Sequence, residues 1–376
     1  MTSRRLDVDH LLADPSTRII VCCGSGGVGK TTTAAALALR AADLGRRTVV
    51  LTIDPARRLA QSLGLTELDN TPRRVQRVGR DGGELHAMML DMKRTFDDVV
   101  LAHSTPDKAE QIFANPFYQA MSTSFAGTQE YMAMEKLSQL RAADDWDLIV
   151  VDTPPSRSAL DFLDAPQRLS RFLDGRMIRL LVAPAKAGGR AYFKVVGVGV
   201  GMFARVVTKV LGTALLRDLS AFVGALDTMF GGFRDRAQAT YDLLKTPGTA
   251  FVVVAAPEPD ALREASYFVR RLAEDQMPLA GLVLNRVHPV TAGLSAEHSL
   301  FAAETLRSSG GSALAAGVLL VHADRVRLAS RERRLADRFT ATHPQVPVSR
   351  VPAEAGDIHD LPGLRRVGAA LANHGA

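Results

Sequence analysis

The chain has 376 residues, of which 47% are hydrophobic, and its net charge of +6 arises from 46 basic and 40 acidic residues. This length suits one large α/β domain or one domain with a sizeable insertion, and the scattered basic residues argue against a nucleic-acid-binding surface, which would require clustering. No uncharged apolar run is long enough to span a bilayer, and the charges near the start argue against a secretory signal. Because the only cysteines are the adjacent Cys22 and Cys23, neither a zinc site nor a disulfide framework is expected. We therefore expect a cytoplasmic protein without zinc and without a nucleic-acid partner.

The amino-terminal half has the pattern of strands that alternate with helices. Residues 1–16 are interpreted as a loosely ordered extension. The run RIIVCC at 18–23 predicts a buried strand, and the alanine- and leucine-rich residues 31–45 predict a helix that ends at Gly45. Further strands are predicted at 48–54, 84–91, 146–153, 249–257, 279–287 and 346–352. This alternation predicts an α/β fold with a doubly wound, mostly parallel sheet flanked by helices.

Two regions lack the strand pattern and are predicted to be helical. They are residues 93–145 and residues 167–245, and the second is rich in apolar residues and glycine. Glycine loosens helices and methionine adapts to different partners, so 167–245 fits either a buried core or a groove for an apolar partner. Periodicity alone does not separate the two interpretations.

The segment GSGGVGKT, Gly24 to Thr31, has the phosphate-binding pattern G-x-x-x-x-G-K-T. It follows an apolar strand and opens a helix, which is the context in which glycine-rich backbone and a helix amino terminus cradle phosphates. Lys30 is predicted to reach the β- and γ-phosphates, and the Thr31 hydroxyl is predicted to ligate Mg²⁺. The nucleotide-binding residues predicted here are Gly26, Gly27, Val28, Gly29, Lys30, Thr31 and Thr32.

Two carboxylates come at the ends of predicted strands, where ligands bind in parallel sheets. Asp152 ends the apolar run DLIVVD, a position at which an acid holds Mg²⁺ in proteins of this kind. Asp54 ends LTID and is followed by Pro55. The pattern alone is equally consistent with a water-orienting carboxylate and with an ordinary Asp-Pro turn.

The order of these motifs resembles the family of arsenite-pump ATPases and their relatives that guide tail-anchored membrane proteins. GSGGVGKTT resembles the family loop G-K-G-G-V-G-K-T-T, TIDPARRLAQSLG resembles its first switch, and WDLIVVDTPPSRSALDFLDAP resembles its second switch. HAMMLD, VLNRV and VPAEAGDIHDLPGLRRVG resemble later family segments, so the resemblance covers almost the whole chain.

The resemblance implies a single P-loop NTPase domain over 1–376 with an inserted α-helical subdomain at 167–245 that binds clients. It implies ATP and Mg²⁺ as cofactors, with Asp54 and Lys30 catalytic and with Thr31 and Asp152 on the metal. It also implies that Asn285 contacts the adenine and that Glu258 and Pro352 contact the nucleotide. By this resemblance, ATP closes a dimer and hydrolysis opens it, which controls a hydrophobic surface for client proteins or for peripheral contact with the inner face of the membrane.

The chain departs from the family pattern at Ser25, where the family loop has a lysine that reaches the partner subunit's phosphates. A homodimer is then expected to hydrolyse ATP slowly unless Arg57 or Arg58 replaces that lysine. Alternatively, the chain is a slow regulatory half of a heterodimer with a paralogous, lysine-bearing subunit. A partition- or division-type ATPase that acts on nucleoid or membrane is another alternative, although the long helical insertion disfavours it.

Overall fold

The computed structural model describes residues 4–54, 58–116, 118–119, 122, 128–154, 238–290 and 292–372. These residues divide into two compact units. The first unit comprises the described residues of 4–89, 144–154 and 244–372, and the second comprises the described residues of 90–143 with 238–243. Most of the predicted subdomain at 167–245 lies outside the described residues, except that 238–245 is helical.

The first unit is built on an eight-stranded sheet. Its strands are β1 (Ile19–Cys23), β2 (Arg47–Thr52), β3 (Arg73–Arg74), β4 (Glu84–Met89), β5 (Leu148–Asp152), β6 (Thr249–Ala255), β7 (Leu279–Val287) and β8 (Val348–Pro352). They lie in the order β3-β4-β2-β5-β1-β6-β7-β8, and every pairing is parallel except that of β3 with β4. Strands β2 to β5 all lie on one side of β1 and strands β6 to β8 on the other, which makes the carboxyl end of β1 the switch point where ligands bind.

The helices alternate with these strands. They are α1 (Val8–Ala13), α2 (Lys30–Asp43), α3 (Arg58–Ser62), α4 (Met92–His103), α5 (Pro106–Phe113), α6 (Thr128–Ala143), α7 (Pro259–Glu274), α8 (Ala296–Ser308), α9 (Ala313–Thr342) and α10 (Leu361–Ala372). The α/β fold with a mostly parallel sheet is thus confirmed. The central strands β1, β5 and β6 are buried along their whole length, which explains why their sequences are continuous apolar runs.

The interpretation of residues 1–16 as a loosely ordered extension is wrong for residues 4–16. Arg5 forms a parallel bridge with Val348 of β8, and the side chain of Asp7 caps α1 by accepting a hydrogen bond from the His10 N–H. Leu12 of this helix is fully buried. The segment is ordered because the body of the domain buries its apolar side chains, which local sequence does not reveal.

Arg46, just before β2, is a buried arginine that joins three parts of the first unit. Its guanidinium donates hydrogen bonds to the carbonyls of Leu12 (2.9 Å), Thr17 (2.6 Å) and Asp147, and a longer one to Asp14 (3.3 Å). Burial lowers the pKa of Arg46, because it disfavours the charged form. The residue ties the α1–β1 connection to the amino-terminal ends of β2 and β5, at the opposite end of the sheet from the switch point.

The helices α8 and α9 form a hairpin joined by the short turn at 309–312. One face of α9 exposes apolar side chains at heptad-like spacing. They are Leu314, Val318, Val321 and Leu328. In the described parts of the chain, no helix combines the length and the apolar character needed to cross a membrane.

The second unit contains α4, α5 and α6, so the described part of 93–145 is helical. The side chain of Asp91 caps α4 by accepting from the Arg94 N–H at 2.9 Å. Tyr118 is buried, packs edge-on against Phe96, and donates its hydroxyl to Asp97 at 2.6 Å. Burial, together with this carboxylate, raises the pKa of Tyr118 far above its usual range.

Candidate nucleotide site

The loop between β1 and α2 is held in a conformation that requires glycine at two ends. Gly24 has φ +152°, and a Cβ there would lie 2.1 Å from the Val254 carbonyl oxygen of β6. Gly29 has φ +93° and is the residue from which α2 begins. A glycine-rich loop that leads directly into a helix amino terminus is an arrangement that binds phosphate through backbone N–H groups.

Lys30 is the first residue of α2, and its side chain folds back over the loop. Its Nζ donates a hydrogen bond to the carbonyl oxygen of Ser25 at 2.8 Å, and the residue is 6% exposed. Burial lowers the pKa of Lys30, while Asp152 and Asp54 oppose that shift. A partly desolvated ammonium inside a glycine-rich loop is suited to a phosphate, whose charge would replace the weak carbonyl partner.

Asp152 lies at the end of β5, between the ends of β1 and β2. Strand register pairs it with Cys22 on one side and Thr52 on the other, and its side chain is fully buried. Burial raises the pKa of Asp152 to about 6, against the hydroxyls of Thr31 and Thr52 and the charge of Lys30. A buried carboxylate at this position needs a strong partner to remain ionised.

Mg²⁺ fits the residues around Asp152. The Thr52 hydroxyl donates to Asp152 Oδ2 at 2.9 Å, whereas Oδ1 is buried without a hydrogen-bond partner. Mg²⁺ binds oxygen ligands and in phosphate sites uses one or two carboxylates together with water and the phosphates. The unsatisfied Oδ1 and the Thr31 hydroxyl are therefore the atoms that would hold it.

Asp54 follows β2 and is half-buried at the mouth of the site. Its backbone N–H donates to the Thr52 hydroxyl oxygen at 3.2 Å, so that one hydroxyl contacts both Asp152 and the backbone of Asp54. Pro55 to Arg57 lie outside the described residues, and the structure therefore does not bear on Arg57. Arg58, at the start of α3, lines the same opening as Asp54.

A cleft of roughly 1300 Å³ opens over the loop. Its lining includes the predicted residues Gly27, Gly29, Lys30, Thr31, Thr32, Asp54, Asn285 and Pro352. It also includes the segment 353–359 and Val367, which belong to the stretch that resembles the family's terminal adenine loop, and it includes Gln61, Ser62, Arg286 and His288, which were not predicted as site residues. Its volume is sufficient for a nucleotide, since ligand pockets commonly measure about 300–1,000 Å³.

Four predicted residues are not among those that line the cleft. Val28 is buried and contributes its carbonyl to a contact with Asn285, and Asp152 lies beneath the loop. Gly26 is exposed on the loop, and Glu258 is exposed at the residue that precedes α7. The nucleotide contact predicted for Glu258 stays a prediction.

A glycine-rich loop after the first strand of a parallel sheet, followed by a lysine and a threonine that open a helix, and a buried aspartate on the neighbouring strand define a P-loop nucleotide-binding protein. The model of the anion-transporting ATPase family matches residues 17–297. The chain therefore belongs to that family, and the resemblance found in the sequence is confirmed. Residues beyond 297, which include nearly all of α8 and all of α9, lie outside the matched range.

Similar curated proteins carry related names. The chain is 27% identical over 174 residues to ATPase GET3 of Malassezia globosa, covering 44% of this chain and 47% of that protein. It is 29% identical over 157 residues to a putative arsenical pump-driving ATPase of Chlorobaculum tepidum, covering 41% and 36%. It is 24% identical over 281 residues to ATPase GET3A of Arabidopsis thaliana, covering 74% and 70%. The chain thus spans half or less of the length of the first two relatives.

Proposed function

We propose that this chain is a Mg²⁺-dependent ATPase whose nucleotide cycle opens and closes a dimer and thereby controls a hydrophobic surface for client or membrane proteins. The observation that carries the proposal is the buried Asp152, whose unpartnered Oδ1 lies where a metal bound to a triphosphate is expected. The family match and the names of the relatives support the ATPase class.

The site residues divide the work of hydrolysis between binding and water activation. The loop N–H groups and Lys30 bind the phosphates. The ammonium of Lys30 also stabilises the negative charge that develops on the γ-phosphate oxygens. Mg²⁺, when bound to Thr31 and Asp152, neutralises charge on the phosphates. Asp54, at the open side of the cleft, accepts a hydrogen bond from the attacking water and orients it.

Ser25 determines how fast this site works alone. A cation supplied in trans is worth about 10³–10⁵ in the rate of phosphoryl transfer, and Ser25 carries a hydroxyl where the family loop carries an ammonium. We infer slow turnover for the isolated chain, as a homodimer or as the regulatory half of a heterodimer with a lysine-bearing paralogue. Of Arg57 and Arg58, the two substitute cations suggested by the sequence, Arg58 lies among the described residues and lines the cleft.

A hydrophobic client fits this chain better than an arsenical does. The only thiols, Cys22 and Cys23, are buried in β1, and burial raises the pKa of both, that of Cys23 to about 12. Soft metalloids require accessible thiolates, which these cysteines do not supply. The client surface is assigned to residues 167–245, where Val210→Glu is expected to abolish binding of an apolar peptide while Mg·ATP binding persists. Loss of folding in that variant would instead identify the segment as core.

Calorimetry tests the proposal. Titration of Mg·ATP into the purified chain is expected to release heat that EDTA or Lys30→Ala abolishes, whereas Asp54→Asn is expected to bind Mg·ATP without releasing phosphate. Light scattering is expected to show a larger particle with a non-hydrolysable ATP analogue than with ADP. Absence of binding heat, with or without a companion subunit captured from the native cells, would refute the proposal.

A further inference from the structure

Arg286, the second-last residue of β7, has a backbone conformation that arginine rarely adopts. Its φ is +61°, in the left-handed region, and its side chain is exposed. For a residue with a Cβ this conformation is unfavourable by about 1 kcal/mol or more and persists only where the surroundings fix it. Such residues cluster at ligand sites because an unusual backbone conformation redirects a side chain.

The consequence here is that two consecutive residues of one strand face the same cleft. Successive side chains of a regular strand point to opposite faces of the sheet, yet both Asn285 and Arg286 line the cleft above the phosphate loop. The pairing of β7 with β8 shifts register between Leu284 and Val287, so the two residues form a local bulge. Bulges re-aim side chains in this way.

The bulge lies beside the phosphate loop itself. The Asn285 amide donates to the Val28 carbonyl at 2.9 Å, and a Cβ on Gly29 would lie 2.3 Å from the same amide nitrogen. Arg286 is therefore the next residue after the one that contacts the loop directly. Within the part of the chain that the structure describes, its guanidinium has neither an ion pair nor a hydrogen bond with a side chain or carbonyl.

We propose that Arg286 binds the polyphosphate of the nucleotide from within the same chain, as a second cation besides Lys30. A guanidinium presents planar donors that match phosphate oxygens in pairs, and it keeps its charge at every accessible pH. The strained bulge places this cation in the lining of the cleft. This inference rests on the proposed function, because it requires a triphosphate in the cleft.

The chain offers a matched control for this residue. Arg77 is also an exposed arginine in the left-handed region, with φ +60°, but it does not line the cleft. Arg286→Gly and Arg77→Gly each relieve the left-handed conformation and each add freedom to the unfolded chain, so both variants are expected to melt close to the wild-type temperature. Only Arg286→Gly is expected to weaken Mg·ATP binding.

Calorimetry of Mg·ATP and of adenosine separates the outcomes. Arg286→Gly and Arg286→Gln are expected to weaken Mg·ATP binding roughly 10- to 100-fold, as for loss of charge-assisted hydrogen bonds, with adenosine binding within about 3-fold of wild type. Arg286→Lys is expected to be intermediate, and Arg77→Gly to bind as wild type does. Equal weakening of Mg·ATP and adenosine would overturn the phosphate contact in favour of the base or ribose. Wild-type affinity for Mg·ATP in Arg286→Gln would overturn the role of Arg286 and leave the proposed ATPase function standing. A wild-type chain that binds no Mg·ATP would overturn both.

Discussion

The side-chain amide of Asn285 donates a hydrogen bond to the backbone carbonyl of Val28 at 2.9 Å, across 257 residues of sequence. The contact joins the end of β7 to the middle of the phosphate loop, and Asn285 is 8% exposed. This amide satisfies the buried carbonyl of Val28 and holds the middle of the loop against the end of β7. The same contact excludes a side chain at position 29, since the Asn285 amide occupies the space that a Cβ would need.

Gly29→Ala is expected to abolish Mg·ATP binding and to destabilise the fold, because its Cβ would meet the Asn285 amide and its φ of +93° is unfavourable for alanine. Adding Asn285→Ala is expected to recover part of the lost stability by removing the clash, giving a favourable coupling energy of about 1 kcal/mol in chemical unfolding. Gly27→Ala serves as the control, since Gly27 has positive φ but no atom within 4 Å of its Cβ position. Strict additivity in the Gly29–Asn285 pair would contradict the contact.

Asp152→Asn is expected to stabilise the nucleotide-free protein while it abolishes Mg²⁺-dependent ATP binding. Burial raises the pKa of Asp152 from 3.8 to about 6, so the wild-type fold is favoured by protonation of this carboxyl below pH 4 and loses that contribution as the pH rises through 6. Asparagine carries no charge, and the variant should therefore exceed wild type by up to about 3 kcal/mol above pH 6, with the advantage vanishing below pH 4.

The measurement is urea unfolding from pH 4 to pH 8 without nucleotide, together with Mg·ATP titration at pH 8. A pH-independent difference between Asp152→Asn and wild type would show that the carboxyl is not protonated near pH 6. Unimpaired Mg²⁺-dependent binding in the variant would remove Asp152 from the metal site.

Ser25→Lys is expected to raise ATP turnover of the isolated chain at least about 10-fold, because it supplies a cation of the kind worth about 10³–10⁵ in related phosphoryl transfers. The variant keeps the Ser25 carbonyl to which Lys30 donates, since that group belongs to the backbone. Ser25→Gln supplies a longer polar side chain without a charge and should turn over ATP no faster than wild type. If phosphate release stays at the wild-type rate in Ser25→Lys and no paralogous subunit accelerates it, Ser25 does not limit the reaction.

Arg46→Met is expected to lower the free energy of unfolding by about 3 kcal/mol, because it leaves buried carbonyls of Leu12, Thr17 and Asp147 without donors. Arg46→Lys should recover only part of the loss, since one ammonium cannot reproduce the planar fork. The neighbouring Arg47→Met is the control: its side chain is exposed and its ion pair with Asp147 is long, at 3.9 Å. That change should cost less than about 0.5 kcal/mol in urea unfolding, and a comparable loss in both variants would contradict the role given to Arg46.

The parallel sheet could be predicted because its central strands are buried on both faces and therefore read as unbroken apolar runs. The phosphate loop was equally evident, since its glycines and Lys30 stand between a strand and a helix. The two-residue strand β3 was missed because it exists only through antiparallel pairing with β4 and has no periodicity of its own. The ordered structure of residues 4–16 was missed because it depends on partners distant in the sequence, such as Arg40, which forms an ion pair with Asp9.

Arg286 illustrates what the sequence withholds at the site itself. The letters VLNRV continue the apolar strand, and nothing in them indicates a left-handed residue, which in most proteins is glycine or asparagine. The bulge results from the pairing of β7 with β8, a contact between segments about sixty residues apart along the chain. Asp152 was predicted as a metal ligand, but its pKa near 6 follows from burial and becomes evident only in the folded structure.

The hydroxyl of Thr52 links the carboxyl ends of β2 and β5. It donates to Asp152 and accepts from the Asp54 N–H, so a single oxygen atom contacts both the proposed metal ligand and the proposed water-orienting residue. We expect that a change in the charge on Asp152 reorients this hydroxyl and thereby alters its hydrogen bond with the backbone of Asp54. The side chain of Thr52 thus connects Asp152 and Asp54 through one hydrogen-bonding group, so the two residues are not expected to adjust independently.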